Sequence, residues 1–183
     1  MTYAKKTFCL VVGVMGLLVL SACATAPATV AGKQDIENDA SNALGKAQRQ
    51  DPTLISIFNA STGYAVFPSV GKGAVGIGGA YGKGVLYERG RAVGYCDLSQ
   101  ATIGVQLGGQ SYTEIICFED NRAVETFKQG NFRFDAQATA VALKSGAGAN
   151  AKFTNGVAVF TMDEAGLMFE AAVGGQKFSY QPK

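Results

Sequence analysis

Residues 71–84 read GKGAVGIGGAYGKG and hold seven glycines and two lysines. The first six match the G-x-G-x-x-G pattern of a dinucleotide-binding turn, which needs a helix straight after the glycines and an acidic residue about 20 positions on. The helix is missing. Val75, Ile77 and Tyr81 alternate with small residues, and VLYERG continues as strand. A P-loop fails as well, because Ile77 stands where its first glycine belongs and Gly84 where Ser or Thr belongs. The pattern also recurs: Ile77-Gly-Gly-Ala-Tyr81, Leu107-Gly-Gly-Gln-Ser-Tyr112 and Val173-Gly-Gly-Gln-Lys-Phe178 each set an apolar residue, a glycine pair and an aromatic in strand context. The expectation is a curved sheet whose glycines supply bulges, tight bends or close backbone approach.

Working outward, Asp35 to Gln50 favours helix, with Ile36, Ala40, Ala43, Leu44 and Ala47 at helical spacing. Asp51-Pro52 stops it, and TLISIFNAS reads as a second short helix. From Gly63 the period becomes two. Tyr64–Phe67 is a strand closed by Pro68, ERGR is a turn, and AVGYCDL, Ile103–Leu107 and TEIICFE follow as strands. EDNRAVETFKQG carries an Asp120 or Asn121 cap, inward Ala123, Val124 and Phe127, and a Gly130 stop, so it is a helix. NFRF, ATAVAL, KFTNGVAVFTM, GLMFEAAV and QKFSY are further strands. The fold class is α+β: a mostly antiparallel, strongly curved Gly-rich or barrel-like sheet, with N-terminal helices and one helix between strand groups.

The N-terminus gives an address. Lys5 and Lys6 precede a 13-residue apolar run, Phe8–Leu20, which is short for a span of roughly 20 residues and suits a signal h-region. It ends in Leu20-Ser21-Ala22-Cys23, which looks like a lipobox. Residues 1–22 are read as a lipoprotein signal peptide, 23–33 as acylated Cys23 and a flexible tether, and 34–183 as one domain. Ala24 after the cysteine favours the outer membrane, lipid-anchored and facing the periplasm.

Loss of Lys5 and Lys6 leaves 14 basic against 14 acidic residues, so no global basic field suits nucleic acid. With Cys9 in the leader and Cys23 acylated, Cys96 and Cys117 remain, either as a disulfide in an oxidising compartment or as two small buried hydrophobes. Two cysteines without histidine do not make a metal site, and no cofactor is implied. Adjacent carboxylates at Glu119-Asp120 and Asp163-Glu164 read as a helix start and a turn, so an enzyme is not expected.

In order, FPSVGKG (Phe67–Gly73), the Gly-rich strand, LGGQ (Leu107–Gln110), ICFEDNRAVETFKQG, ATAVALKSGAG and VAVFTMDEAGLMFEAAVGG resemble the SYLF domain from about Asp35 to the C-terminus. The resemblance implies phospholipid binding. Eukaryotic members bind phosphoinositides and related acidic lipids and some fungal ones bind actin, but neither partner is carried over to a bacterial envelope. The long amphipathic N-terminal segment of eukaryotic members is here replaced by the lipidated cysteine.

Lys72 in the SVGKG stretch is the first head-group candidate, because flanking glycines in a turn open backbone N–H groups to an anion. Lys83 in YGKG and the hairpin residues Arg89 and Arg91 follow it, and Phe58, Phe67 and Tyr81 are candidates to line an acyl-chain pocket. The expected function is an outer-membrane lipoprotein binding anionic phospholipid head groups. Its rival is an envelope protein-interaction lipoprotein without a lipid site of its own.

Overall fold

The computed structural model describes residues 26–75, 77–103, 109–134, 139–163 and 171–183. The leader, Cys23, the Val105 and Leu107 strand positions, the GLMF stretch and Glu164 lie outside the described residues. The element order is α1 (Val30–Gln50), α2 (Leu54–Ala60), β1 (Gly63–Val75), β2 (Ile77–Glu88), β3 (Arg91–Ile103), β4 (Gly109–Phe118), α3 (Asn121–Lys128), β5 (Thr139–Ala142), α4 (Ala147–Asn150), β6 (Val157–Asp163), β7 (Ala171–Ala172) and β8 (Lys177–Pro182).

The strand order is β7-β5-β6-β4-β1-β2-β3-β8, open at β7 and β8, and antiparallel at every pair except β5–β6. The α+β reading holds, with an open curved sheet rather than a closed barrel. A tight hairpin at Arg89 (φ 50°) and Gly90 (φ 75°) joins β2 to β3, the positive-φ pair that matches strand twist.

Two apolar layers cover the sheet. On one face the alanine stripe of α1 (Ala40, Ala43, Ala47) lies against Val66, Val85, Tyr95, Ile115, Cys117 and Phe160. Alanines at this spacing form one small-residue face, which lets the helix axis approach the strands closely. On the other face sit Phe67, Val70, Leu86, Cys96, Leu98, Ile116 and Phe118 with Val124 and Phe127 of α3 and Phe132, Phe134 and Phe178. The ring centroids of Phe67 in β1 and Phe178 in β8 are 5.8 Å apart. Three strand spacings of about 4.8 Å separate β1 from β8 in a flat sheet, so this face is concave.

The glycines make the concavity. A Cβ on Gly84 would stand 2.5 Å from the Val66 carbonyl oxygen and 2.7 Å from Phe67 Cδ1. One on Gly82 would meet Val70 Cγ2 at 2.9 Å, and one on Gly94 the Gln181 carbonyl at 2.6 Å. All three face the side where the aromatic rings lie over backbone.

Several local expectations shift. Pro68 does not close β1, which runs through it; the register slips between Val66 and Ser69 and between Phe67 and Val70. A bulge there removes the need for the N–H that proline lacks, so that bulge sits at the proline and not at a glycine pair. Helix α1 starts at Val30 instead of Asp35, because Thr29 caps it by accepting from Gly32 N at 3.0 Å. The tether is therefore partly helix, and Ala26 N donates to Gln181 Oε1 at 3.2 Å. NFRF gives only an isolated bridge at Arg133, and the small-residue stretch AGAN forms α4. Asp120 caps α3, accepting from Ala123 N at 2.8 Å.

Candidate functional site

The sheet separates the four head-group candidates. By alternation from Val70, Lys72 belongs to the concave face; Lys83, two residues before Val85, belongs to the helix-covered face. The SVGKG stretch is not a turn. Gly71, Lys72 and Gly73 are in register with Tyr81, Ala80 and Gly79 on one side and with Ser111, Gln110 and Gly109 on the other. A strand flanked on both sides commits its N–H groups to the ladders, so the anion nest expected there is replaced by sheet. Arg89 and Arg91 sit exposed at the β2–β3 hairpin, about 20 Å along the strand from Lys83 at 3.3 Å per residue. Phe58, Phe67 and Tyr81 are apart: Phe58 of α2 packs against Tyr64 at the helix-side cluster, Phe67 is buried in the concave face and Tyr81 is 46% exposed.

Lys83 has different company. A cleft of about 590 Å³ lies between α1 and the sheet, within the size range of small-molecule sites. From α1 come Asp39, Asn42, Lys46 and Arg49, and from β1, β2 and β4 come Ser69, Lys83 and Thr113. Positions 39, 42, 46 and 49 fall on one stripe of a helix, and the α1 side chains there are exposed. The strand side is built by register, since Ser69 pairs Lys83 across β1–β2. Thr113 Oγ1 donates to the Pro68 carbonyl at 2.9 Å, which fixes the bulge that tips Ser69 toward the helix. Ser69 and Ser111 hydroxyls share a hydrogen bond of 2.7 Å.

Lys83 Nζ lies 3.2 Å from Asp97 Oδ1, and the Tyr81 hydroxyl donates to the same oxygen at 3.4 Å. Partial burial works to lower the Lys83 pKa, but Tyr81 and Asp97 outweigh it and raise it, so the ammonium stays charged. Lys46 and Arg49 of α1 therefore face the Asp97-paired Lys83 across the cleft, and Asp39 lies in the same lining. Such an arrangement suits a hydrated anion such as a phosphate ester. Lys46 and Arg49 were missed in sequence because their helix-surface spacing looks like any solvated face.

Cys96 and Cys117 are free and buried. They lie in the concave and helix-side clusters respectively, on strands separated by β1 and β2. A disulfide needs Cα atoms within about 7 Å, so of the two uses open to them the structure has buried hydrophobes. Burial pushes the Cys117 thiol up to about 12.

Residues 99–182 match the family model described as Ysc84, Las17-binding protein actin regulator. The match falls within the stretch whose motifs resemble the SYLF domain. The match begins in β3 and runs through β8, taking in α3, α4 and strands β4 to β8. A protein of Aeromonas veronii named Beta cell expansion factor A is 29% identical over 145 residues, covering 78% of this chain and 55% of that protein. The chain thus spans about half the length of that curated relative.

Proposed function

We propose that this chain is an outer-membrane lipoprotein whose SYLF-type domain binds phospholipid, with the head-group phosphate in the α1–sheet cleft. The observation carrying this reading is the convergence of Lys46, Arg49 and Lys83 on one cleft. Cys23 in its lipobox-like setting supplies the anchor, and the domain works as a binding module without catalysis. Each lysine within reach of an anionic surface contributes about 1 kcal/mol, so binding is modest and salt-sensitive. The test is co-sedimentation of residues 24–183, made without lipid, with neutral and anionic vesicles at low and high salt. Anionic-selective, salt-sensitive binding that falls in a Lys46→Glu, Lys83→Glu variant supports the cleft. No binding to either vesicle removes the reading and favours a lipid-tethered protein-interaction domain.

A further inference from the structure

The concave face holds a polar cluster that the cleft does not use. Glu114 in β4 and Gln176 in the connection from β7 to β8 are both fully buried. Gln176 Nε2 donates to Glu114 Oε2 at 2.9 Å. The other oxygens of these two side chains, Glu114 Oε1 and Gln176 Oε1, are buried with no hydrogen-bond partner among the described residues. Both are acceptors while Glu114 is ionised, and each forfeits the hydration it had in water. One proton on Oε1 turns that atom into a donor. The planar acid and planar amide then pair through two parallel hydrogen bonds, and two unsatisfied acceptors are satisfied together.

We propose that Glu114 and Gln176 form a proton-operated latch that holds the connection at residues 173–176 onto the concave face of the sheet. With the proton on Glu114 the connection is held by the two-point acid–amide pair. When the proton leaves to solvent, one hydrogen bond remains beside a buried charge. The connection is also held by Val173, fully buried in the concave core, by Gln100 Nε2 donating to the Gly174 carbonyl at 2.8 Å, and by Gly175 N reaching the Phe134 carbonyl at 3.4 Å. Gly175 itself holds φ 76°, a turn conformation.

Besides Gln176, the Tyr112 hydroxyl acts on the Glu114 carboxyl. From β1 its register partner is Phe67, and from β6 it is Thr161, with Asp163 two positions on, opposite Tyr112. On β4 itself Tyr112, two residues away, is buried on the same face. Lys72 lies farther along that face of β1 and is partly exposed, while Arg133 and Lys177 are exposed. Burial pushes the Glu114 carboxyl up to about 7, against the opposing pull of the Gln176 amide and the Tyr112 hydroxyl. The latch thus turns over near neutral pH.

The test is amide hydrogen exchange on the full chain between pH 5.5 and 8.5, with rates corrected for intrinsic chemistry. Wild type is expected to lose at least tenfold protection at residues 173–178 while β1 and β2 change less. Glu114→Gln replaces the acid–amide pair by an amide–amide pair that needs no proton, and its profile should be flat. A flat wild-type profile, an equal loss throughout the sheet, or the same loss in Glu114→Gln would each overturn the latch. Should the variant not fold, carbon-13 titration of the Glu114 carboxyl in wild type decides: a midpoint near 7 supports the proposal, and one below about 5.5 ends it.

Discussion

Gly84→Ala tests the claim that the glycine-rich strand is built for curvature. The new Cβ would stand 2.5 Å from the Val66 carbonyl oxygen and 2.7 Å from Phe67 Cδ1, where an ordinary contact is at least 3.4 Å. Neither neighbour has room to move. Val66 pairs Val85 across β1–β2, and Phe67 is fully buried against Phe178. Relief requires the two central strands to separate by several tenths of an ångström, and overpacking of this kind costs about 1–3 kcal/mol. Removing glycine from a strand returns roughly 0.5–1 kcal/mol through the unfolded chain. The net expectation is a loss of about 1–2 kcal/mol, or roughly 3–8 °C in Tm for a domain of this size. Gly73→Ala is the matched control: nothing lies within 4 Å of its Cβ and its φ is not positive. That change should be neutral or stabilise by up to about 1 kcal/mol. Urea unfolding of both variants beside wild type measures the pair. Equal stabilities would refute the argument, because glycines kept for reasons other than packing would not tell the two positions apart.

The remaining predictions concern charge and packing. Because the folded Glu114 carboxyl is raised from 4.5 to about 7, the native state keeps a proton that the unfolded chain releases. Stability should therefore fall as pH rises from about 4.5 through 7, by at most roughly 3 kcal/mol, and Glu114→Gln should flatten that slope in thermal melts. Asp51 works in the opposite direction. Burial raises its carboxyl, but the Thr53 hydroxyl and the N–H groups of Gly148, Gly146 and Thr53 outweigh this and hold it below 3.8. Its contribution is present above that value and lost as pH falls further. Asp51→Ala should cost about 3–5 kcal/mol by freeing the α1–α2 corner from α4, read by denaturant midpoint. Lys46→Glu with Lys83→Glu should weaken anionic-vesicle binding at least tenfold at low salt, with little change at high salt. In residues 24–183, the Cys96 and Cys117 thiols should react with a thiol reagent only after denaturation, and reductant should leave Tm unchanged.

Much of this protein is local in origin and was legible in the chain. The alanine spacing of α1 is carried by its own residues, as are the Asp120 cap, the alternation of the strands and the positive-φ turn at Arg89-Gly90. The rejection of a phosphate loop at residues 71–84 also followed from local pattern, since what comes after the glycines alternates like strand. Tertiary structure decided what depends on which face and which neighbour a residue meets. Lys72 and Lys83 look equivalent in sequence, yet the bulge at Pro68 and the strand alternation put them on opposite sides of the sheet. Lys46 and Arg49 join Lys83 only because α1 lies across β1 and β2. Glu114 reads as an ordinary strand carboxylate until residue 176, 62 positions later, folds back over it. A side chain's type and local geometry are set by its neighbours in the chain, but its burial and its partner are set by strands that meet across long loops.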